Sequence, residues 1–156
     1  MDLLRKQIIN HDVIALDTSI FIYHLESHPQ YQPLTSIILE YVQQGKCHGI
    51  ISTVAIMELI THPLKINRPD VAQEYEVLLV HFPNLQVIDV TRDIARQAAK
   101  LRAEYNLRPA DALQVSTGIV HNATVWISND KRLKRLNKIM DVVILDDYIE
   151  NTKLLK

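Results

Sequence analysis

One cysteine, three glycines and almost no net charge are the scarcities of this chain, and each excludes a class of function. Cys47 is the only thiol in 156 residues, so no intrachain disulfide can form and a zinc site built on thiolates is ruled out. That fits a reducing, cytoplasmic setting. Gly45, Gly49 and Gly118 are the only glycines, and no two share a phosphate-cradling loop. The P-loop and the dinucleotide fingerprint are therefore both absent. With 17 Lys and Arg against 18 Asp and Glu, the protein has no global field for polyanions, and any nucleic-acid contact has to come from a local patch. The first dozen residues carry charges and no long apolar run, so neither a signal peptide nor a membrane anchor is expected. No repeat, low-complexity tract or linker divides the chain, and its length suits a single domain over 1–156 with a real core.

What is present alternates between short apolar runs and amphipathic stretches. Val13-Ile14-Ala15-Leu16 stops abruptly at Asp17-Thr18-Ser19. The run has the length and branching of a strand buried on both faces. Asp17 then stands at a strand's carboxyl end, where open α/β sheets place their crevices. Asp, Ser and Thr are also favoured helix caps, so locally Asp17 reads equally as a cap. Further strands are expected over 47–52, 85–90, 124–127 and 141–145. Helices are expected over 2–10, with Leu3, Leu4 and Ile8 on one side, and over 20–25, 34–44, 69–80, 92–105, 109–121, 131–136 and from 146. Another covers 54–60 and ends before Pro63. The alternation predicts right-handed crossovers and a three-layer αβα sandwich around a mostly parallel five-stranded sheet.

Three more acids stand out beside Asp17. Glu58 is the only charged residue in Val54-Ala55-Ile56-Met57-Glu58-Leu59-Ile60. A helix apolar nearly all round is expected to be mostly buried, and a carboxylate there is costly unless it lines a cleft or meets a cation. The bland alternative is that Glu58 marks a single solvated stripe. Asp111 lies in the first turn after Pro109, where the helix dipole favours an acid without further reason. Asp130, in Ser128-Asn129-Asp130, follows the fourth strand as Asp17 follows the first, and a turn or cap explains it equally. Two acids at strand ends and two on helices that begin near such ends can meet in one crevice. Clustered carboxylates repel one another, and divalent cations relieve that. Oxygen ligands without His or Cys select Mg²⁺ or Mn²⁺ over zinc, and paired metals suit phosphodiester hydrolysis.

Taken in order, Asp-Thr-Ser after the first strand, the Met-Glu helix, Pro-Ala-Asp-Ala-Leu-Gln and Ser-Asn-Asp-Lys-Arg-Leu resemble the PIN domain family. The manner is that of the toxin ribonucleases of bacterial and archaeal toxin–antitoxin pairs, and the likeness runs from about Val13 to Leu145. The resemblance implies that Asp17, Glu58, Asp111 and Asp130 are the catalytic, metal-binding acids, and that Thr18, Ser19, Ser128 and Asn129 line the same cleft. It implies Mg²⁺-dependent cleavage of single-stranded RNA by metal-activated water without a covalent intermediate. It also implies an antitoxin protein as partner and a homodimer; apolar helices such as 34–42 are the candidate pairing surfaces. Two departures are visible. Ser19 stands where the family often has Asn, and residues 1–12 form an N-terminal extension longer than the usual start.

Other constellations carry less. Arg108 is a candidate at the rim of the cleft. Lys131, Arg132, Lys134, Arg135 and Lys138 form a basic run, which usually means a solvated face. Because it starts directly after Asp130, holding RNA phosphates through Lys131 and Arg132 is an equally good reading. His24 and His28 do not stand in metalloprotease order, and Pro29 follows, so they read as surface histidines. A haloacid-dehalogenase-like phosphatase needs a second acid two residues after the strand-end aspartate, where Ser19 stands. A phosphoacceptor signalling domain finds support only in Asp130-Lys131. The remaining alternative is a catalytically silent RNA- or protein-binding module, against which stand the four acids.

Overall fold

The computed structural model describes residues 1–153. Five strands form one sheet: β1 (Val13–Leu16), β2 (His48–Ser52), β3 (Leu85–Ile88), β4 (Val125–Ser128) and β5 (Asp141–Ile144). Their order is β3-β2-β1-β4-β5, and every neighbouring pair is parallel. Eight α-helices accompany them: α1 (Asp2–Ile8), α2 (Thr18–Leu25), α3 (Gln32–Gln43), α4 (Thr53–Lys65), α5 (Pro69–Val80), α6 (Arg92–Tyr105), α7 (Pro109–Val120) and α8 (Asp146–Lys153). The expected α/β sandwich is observed, with a sheet that is wholly parallel.

The period of two along each strand separates two cores. Ile14 and Leu16 of β1 and Val125 and Ile127 of β4 face the core closed by α1, α2 and α3. Ala15 and Trp126, one residue out of phase, face the core closed by α6 and α7. On that second face the packing is close. A Cβ added to Gly118 of α7 would lie 2.6 Å from the Ala15 Cβ, so helix and strand approach only because both residues are small. This contact seats α7, and with it Asp111, against the central strand.

Strand order reverses beside β1, which makes the carboxyl ends of β1 and β4 the topological switch point. Leu16 pairs with Ile127, and the Asp17 amide donates to the Ile127 carbonyl at 3.0 Å. Asp17 and Ser128 therefore leave the sheet side by side.

Several expectations are corrected. Helix α4 runs through Pro63 rather than ending before it; proline removes one hydrogen bond, yet Pro63 is buried and the helix goes on only to Lys65. Nor is α4 buried all round. Only Ala55, Leu59 and Pro63 are buried, and Met57 is 57% exposed, because apolar content alone does not place a residue inside. Leu3 is exposed while Leu4 and Ile8 enter the core. The basic stretch is a 3₁₀-helix, Lys131–Lys138. Helix α3 is used up internally, with Leu34, Ile37, Ile38, Leu39 and Val42 all buried, so the surface expected for pairing two copies is not available there. The N-terminal extension is pinned by buried His11, whose Nδ1 lies 2.7 Å from Thr124 Oγ1 and whose Nε2 lies 3.1 Å from an Asp141 carboxylate oxygen. Among the described residues no helix is long and apolar enough to cross a membrane.

Candidate active site

Asp17 occupies the N-cap position of α2 without capping it. Its carboxylate is instead turned toward the neighbouring strand end. Ser128 Oγ donates to Asp17 Oδ2 at 2.6 Å, and Ser19 Oγ donates to the same oxygen at 3.2 Å. Neither hydroxyl takes Oδ1. Ser52 supplies the corresponding cap for α4, accepting from the Val54 amide at 3.1 Å, and Glu58 follows on the next turn. Its Oε1 accepts from buried Thr18 Oγ1 at 2.9 Å and from Gln114 Nε2, while Oε2 is engaged by neither. Thr18 and Gln114 are themselves 3.2 Å apart through their oxygens. These contacts tie α2, α4 and α7 together beneath the cleft.

Asp111 stands in the first turn of α7, half-buried. Asp130 begins the 3₁₀-helix, where it caps through the Arg132 amide at 3.0 Å. Arg132 also grips both Asp130 oxygens, Nε to Oδ1 at 2.9 Å and the guanidinium end to Oδ2 at 2.6 Å. A pocket of about 120 Å³ lies here, lined by Arg108, Asp111, Asp130, Arg132 and Arg135 among others.

The electrostatics connect the four acids in a chain. Burial, more than any other cause, raises the Asp17 carboxyl above its ordinary value; the Ser128 hydrogen bond opposes this, and the Glu58 charge adds to it. Asp111 is likewise raised by burial and then by the charges of Asp17 and Asp130, against the pull of Arg132 and Arg108. Asp130 moves the other way, held low chiefly by its hydrogen bonds from Arg132. Desolvation and like charge hold the protons of these two acids more tightly than usual, the kind of perturbation that clusters at functional sites.

Among the described residues, no three His, Cys, Asp or Glu side chains are close enough to hold a metal ion between them as they stand. The reason is local: Glu58 is bound to Thr18 and Gln114, and Asp130 to Arg132. Mg²⁺ keeps several waters and needs only one or two carboxylates. An all-oxygen donor set, with one oxygen of Asp17 and one of Glu58 held by no neighbouring side chain, fits that requirement, and it does not fit a thiolate or imidazole metal.

The polar residues expected to contact substrate mostly do other work. Thr18, Ser19 and Ser128 orient carboxylates, and Asn129 Oδ1 accepts from the Asp146 amide at 2.9 Å, capping α8. The basic run is largely neutralised in place: Lys131 lies 3.4 Å from Asp146, Arg132 pairs with Asp130, and Lys134 lies 2.8 Å from Asp147. Arg108 and Arg135 line the pocket in no salt bridge among the described residues. Gln114 is not among the residues expected at the site, and Arg135 is expected only as one member of the basic run. Gln114 was findable, since it lies three residues after Asp111 and so on the same helix face; Arg135 gave no signal beyond membership of the run.

Known protein structures share this fold. The sequence profile described as the PIN domain matches residues 14–139, whereas no curated protein sequence matches the chain. Among solved structures, a toxin–antitoxin complex from Klebsiella pneumoniae contains a similar chain, with a TM-score of 0.63 and 24% identity over 85% of this chain and 97% of that one. VapBC2 from Rickettsia felis, bound to a DNA fragment from its promoter, gives 0.63 and 20% over 83% and 96%. FitAcB from Neisseria gonorrhoeae gives 0.62 and 14% over 85% and 97%. At these identities the likeness to the solved structures is one of fold.

Proposed function

The chain belongs to the PIN domain family, and from that footing we propose that it is a Mg²⁺- or Mn²⁺-dependent endoribonuclease acting on single-stranded RNA in the cleft at the ends of β1 and β4. The observation that carries this reading is the meeting of acids at the switch point of the sheet: Asp17 held by Ser128 of the neighbouring strand, Glu58 held by Thr18 next to Asp17, and Asp111 and Asp130 lining one pocket. Asp17 and Glu58 would hold the cation, with the Asp111 charge near Asp17 and Asp130 behind its arginine. When bound, the cation supplies an acidified water and neutralises phosphate charge. Ser128 and Ser19 fix the Asp17 carboxylate by one oxygen, so its other oxygen keeps a single direction. Thr18 and Gln114 do the same for Glu58. Arg108 and Arg135 offer the backbone phosphates planar donors.

Under the same proposal the partner is an antitoxin protein. A pocket of about 260 Å³ between α2, α4 and α5, lined by Ile22, Leu25, Leu59, Ile66 and Tyr75, opens beside Glu58, so a partner segment seated there would reach the cleft. Exposed Val77, Leu78 and Val80 on α5 support pairing of two copies in place of the α3 surface.

The test is incubation of the purified protein with single-stranded RNAs in Mg²⁺ and in chelator. Cutting is expected only with the metal, and Asp17→Asn is expected to abolish it. Cutting that survives chelation, or that Asp17→Asn retains at near wild-type rate, would refute the proposal.

A further inference from the structure

Three aromatic rings cluster where α2 leads into α3 and take no part in the site described so far. Tyr23, at the end of α2, His28, in the following loop, and Tyr31, at the N-cap of α3, are all half-buried. Their ring centroids are 4.4 Å (Tyr23–Tyr31), 4.6 Å (His28–Tyr31) and 5.2 Å (Tyr23–His28) apart. A column of three rings would separate its outer members by about twice one spacing. Nearly equal separations describe a triangle instead, so no ring is sandwiched between the other two. The inner side of the cluster packs on the core through Tyr23 and Tyr31.

The cluster is both rigid and joined to the acids. Ser27 takes a left-handed conformation, φ 51°, and turns the chain so that the Gln30 and Tyr31 amides donate to His28 Nδ1 at 3.2 and 3.3 Å. With Nδ1 accepting, the neutral ring carries its proton on Nε2. The Tyr31 hydroxyl donates to Asp146 Oδ1 at 2.7 Å, and the Asp146 amide donates to Asn129. Asn129 is the residue between Ser128, which holds Asp17, and Asp130. One line of contacts therefore runs from the rings to the carboxylate cleft, with Lys131 at its side.

Fixed rings beside a phosphate-handling cleft are the arrangement that single-stranded nucleic acid uses. Unpaired bases stack on aromatic faces while the backbone follows the charges, and a duplex, whose bases are already stacked, cannot do so. We infer that Tyr23, His28 and Tyr31 form a nucleobase-stacking subsite that seats one unpaired base a fixed number of nucleotides from the phosphate lying in the acid cleft. The inference rests on the ribonuclease reading and adds to it the reason for a single-stranded substrate. The stacking itself tolerates any base.

The test leaves the fold of the protein alone by changing the RNA. Single-stranded RNAs of about eight nucleotides, each carrying one abasic position in a different place, are titrated against the full-length protein, and cleavage of the intact RNA is followed in parallel. Removing the base at one position should weaken binding about tenfold, the scale of a single base–ring stack, and removing it elsewhere should have little effect. Tyr31→Phe should keep that pattern and Tyr31→Leu should erase it, each variant being checked for an unchanged circular dichroism spectrum. If Tyr31→Leu does not fold, His28→Leu should erase the pattern in its place. A flat abasic scan, or the same scan in wild type and the leucine variant, would overturn the subsite, leaving the rings as packing. An uneven scan on RNA that is never cut would leave the subsite standing and sink the ribonuclease reading.

Discussion

Replacing Asp17 by Asn separates a helix cap from a desolvated ligand by stability alone. Asn and Asp are equivalent at an N-cap, so a residue serving only as a cap should tolerate the change. The carboxylate makes no capping bond to lose, and an amide of the same shape still offers an oxygen to the Ser128 and Ser19 hydroxyls. What disappears is the extra strength of two hydrogen bonds to a charge, about 1 kcal/mol each. What is relieved is the burial of that charge, which costs several kcal/mol even after relaxation, together with repulsion from Glu58. Because the Asp17 carboxyl is raised despite those hydrogen bonds, relief wins, by about 1–2 kcal/mol on this balance. For a chain of 156 residues each kcal/mol shifts Tm by about 2–4 °C, so Asp17→Asn should melt roughly 2–8 °C higher in chelator. The sign with pH follows from the raised value. The folded protein holds this proton more tightly than the unfolded chain, so the wild type loses stability as pH rises from the ordinary 3.8 through the raised value. The gap between variant and wild type should be small near pH 4 and widen as pH rises through the raised value. Mg²⁺, binding only folded wild type, should narrow or reverse it by mass action. Calorimetry of both proteins, with chelator and with Mg²⁺, measures all of this. A variant no more stable than wild type at any pH, with no Mg²⁺ response in the wild type, would show that the Asp17 charge is neither strained by its burial nor a metal ligand.

Three other outcomes are expected. Asp111→Asn should raise Tm in chelator by less than Asp17→Asn, since it also removes about 0.3–1 kcal/mol of helix-dipole stabilisation; a lower Tm than wild type would mean that Asp17 and Asp130 do not crowd it. Replacing Arg108 and Arg135 by Gln should weaken RNA binding and flatten its salt dependence by about 0.7 for each phosphate no longer neutralised, whereas replacing Lys131 and Lys134, already paired with Asp146 and Asp147, should do less; filter binding across a salt series decides the order. Gly118→Ala should cost about 1–3 kcal/mol by overpacking against Ala15 and lower cleavage as α7 shifts Asp111; an unchanged denaturation midpoint would show that the packing there yields freely.

The fold was legible because its strands are short apolar runs ending in polar residues, and its helices carry ordinary punctuation. Thr91 caps α6 by accepting from the Ile94 amide at 3.3 Å, and Pro69 and Pro109 open their helices. Pro63 misleads because a proline near a helix end costs little when only two residues follow it. Glu58 stands out in the sequence for a reason that is only half right, since α4 is exposed along Met57 and Leu64. The carboxylate nonetheless turns inward to Thr18 and Gln114, a direction that residue spacing alone does not encode. The destination of the basic run was equally hidden. A lysine's partner depends on where β5 and α8 finish, and only the folded chain brings Asp146 and Asp147 beside Lys131 and Lys134.

The commitment of individual oxygens bears on how many cations the proposed site would take. Asp17 and Glu58 each have one oxygen engaged by neighbouring side chains and one left by them, and Asp111 has two arginines nearby that lower its proton affinity only in part. Asp130 has both oxygens on Arg132. A first cation near Asp17 and Glu58 therefore has an oxygen on each that no neighbouring side chain holds, while a second one at Asp130 has to compete with a bidentate guanidinium, among the stronger pairings available to a carboxylate. Phosphate offers that guanidinium the same planar geometry. An incoming RNA backbone would thus compensate Arg132 for leaving Asp130 and expose the second carboxylate only when substrate is present. The substrate-free protein should therefore titrate with one Mn²⁺ per chain, and Arg132→Gln should raise that to two. A wild-type stoichiometry of two without RNA would contradict it.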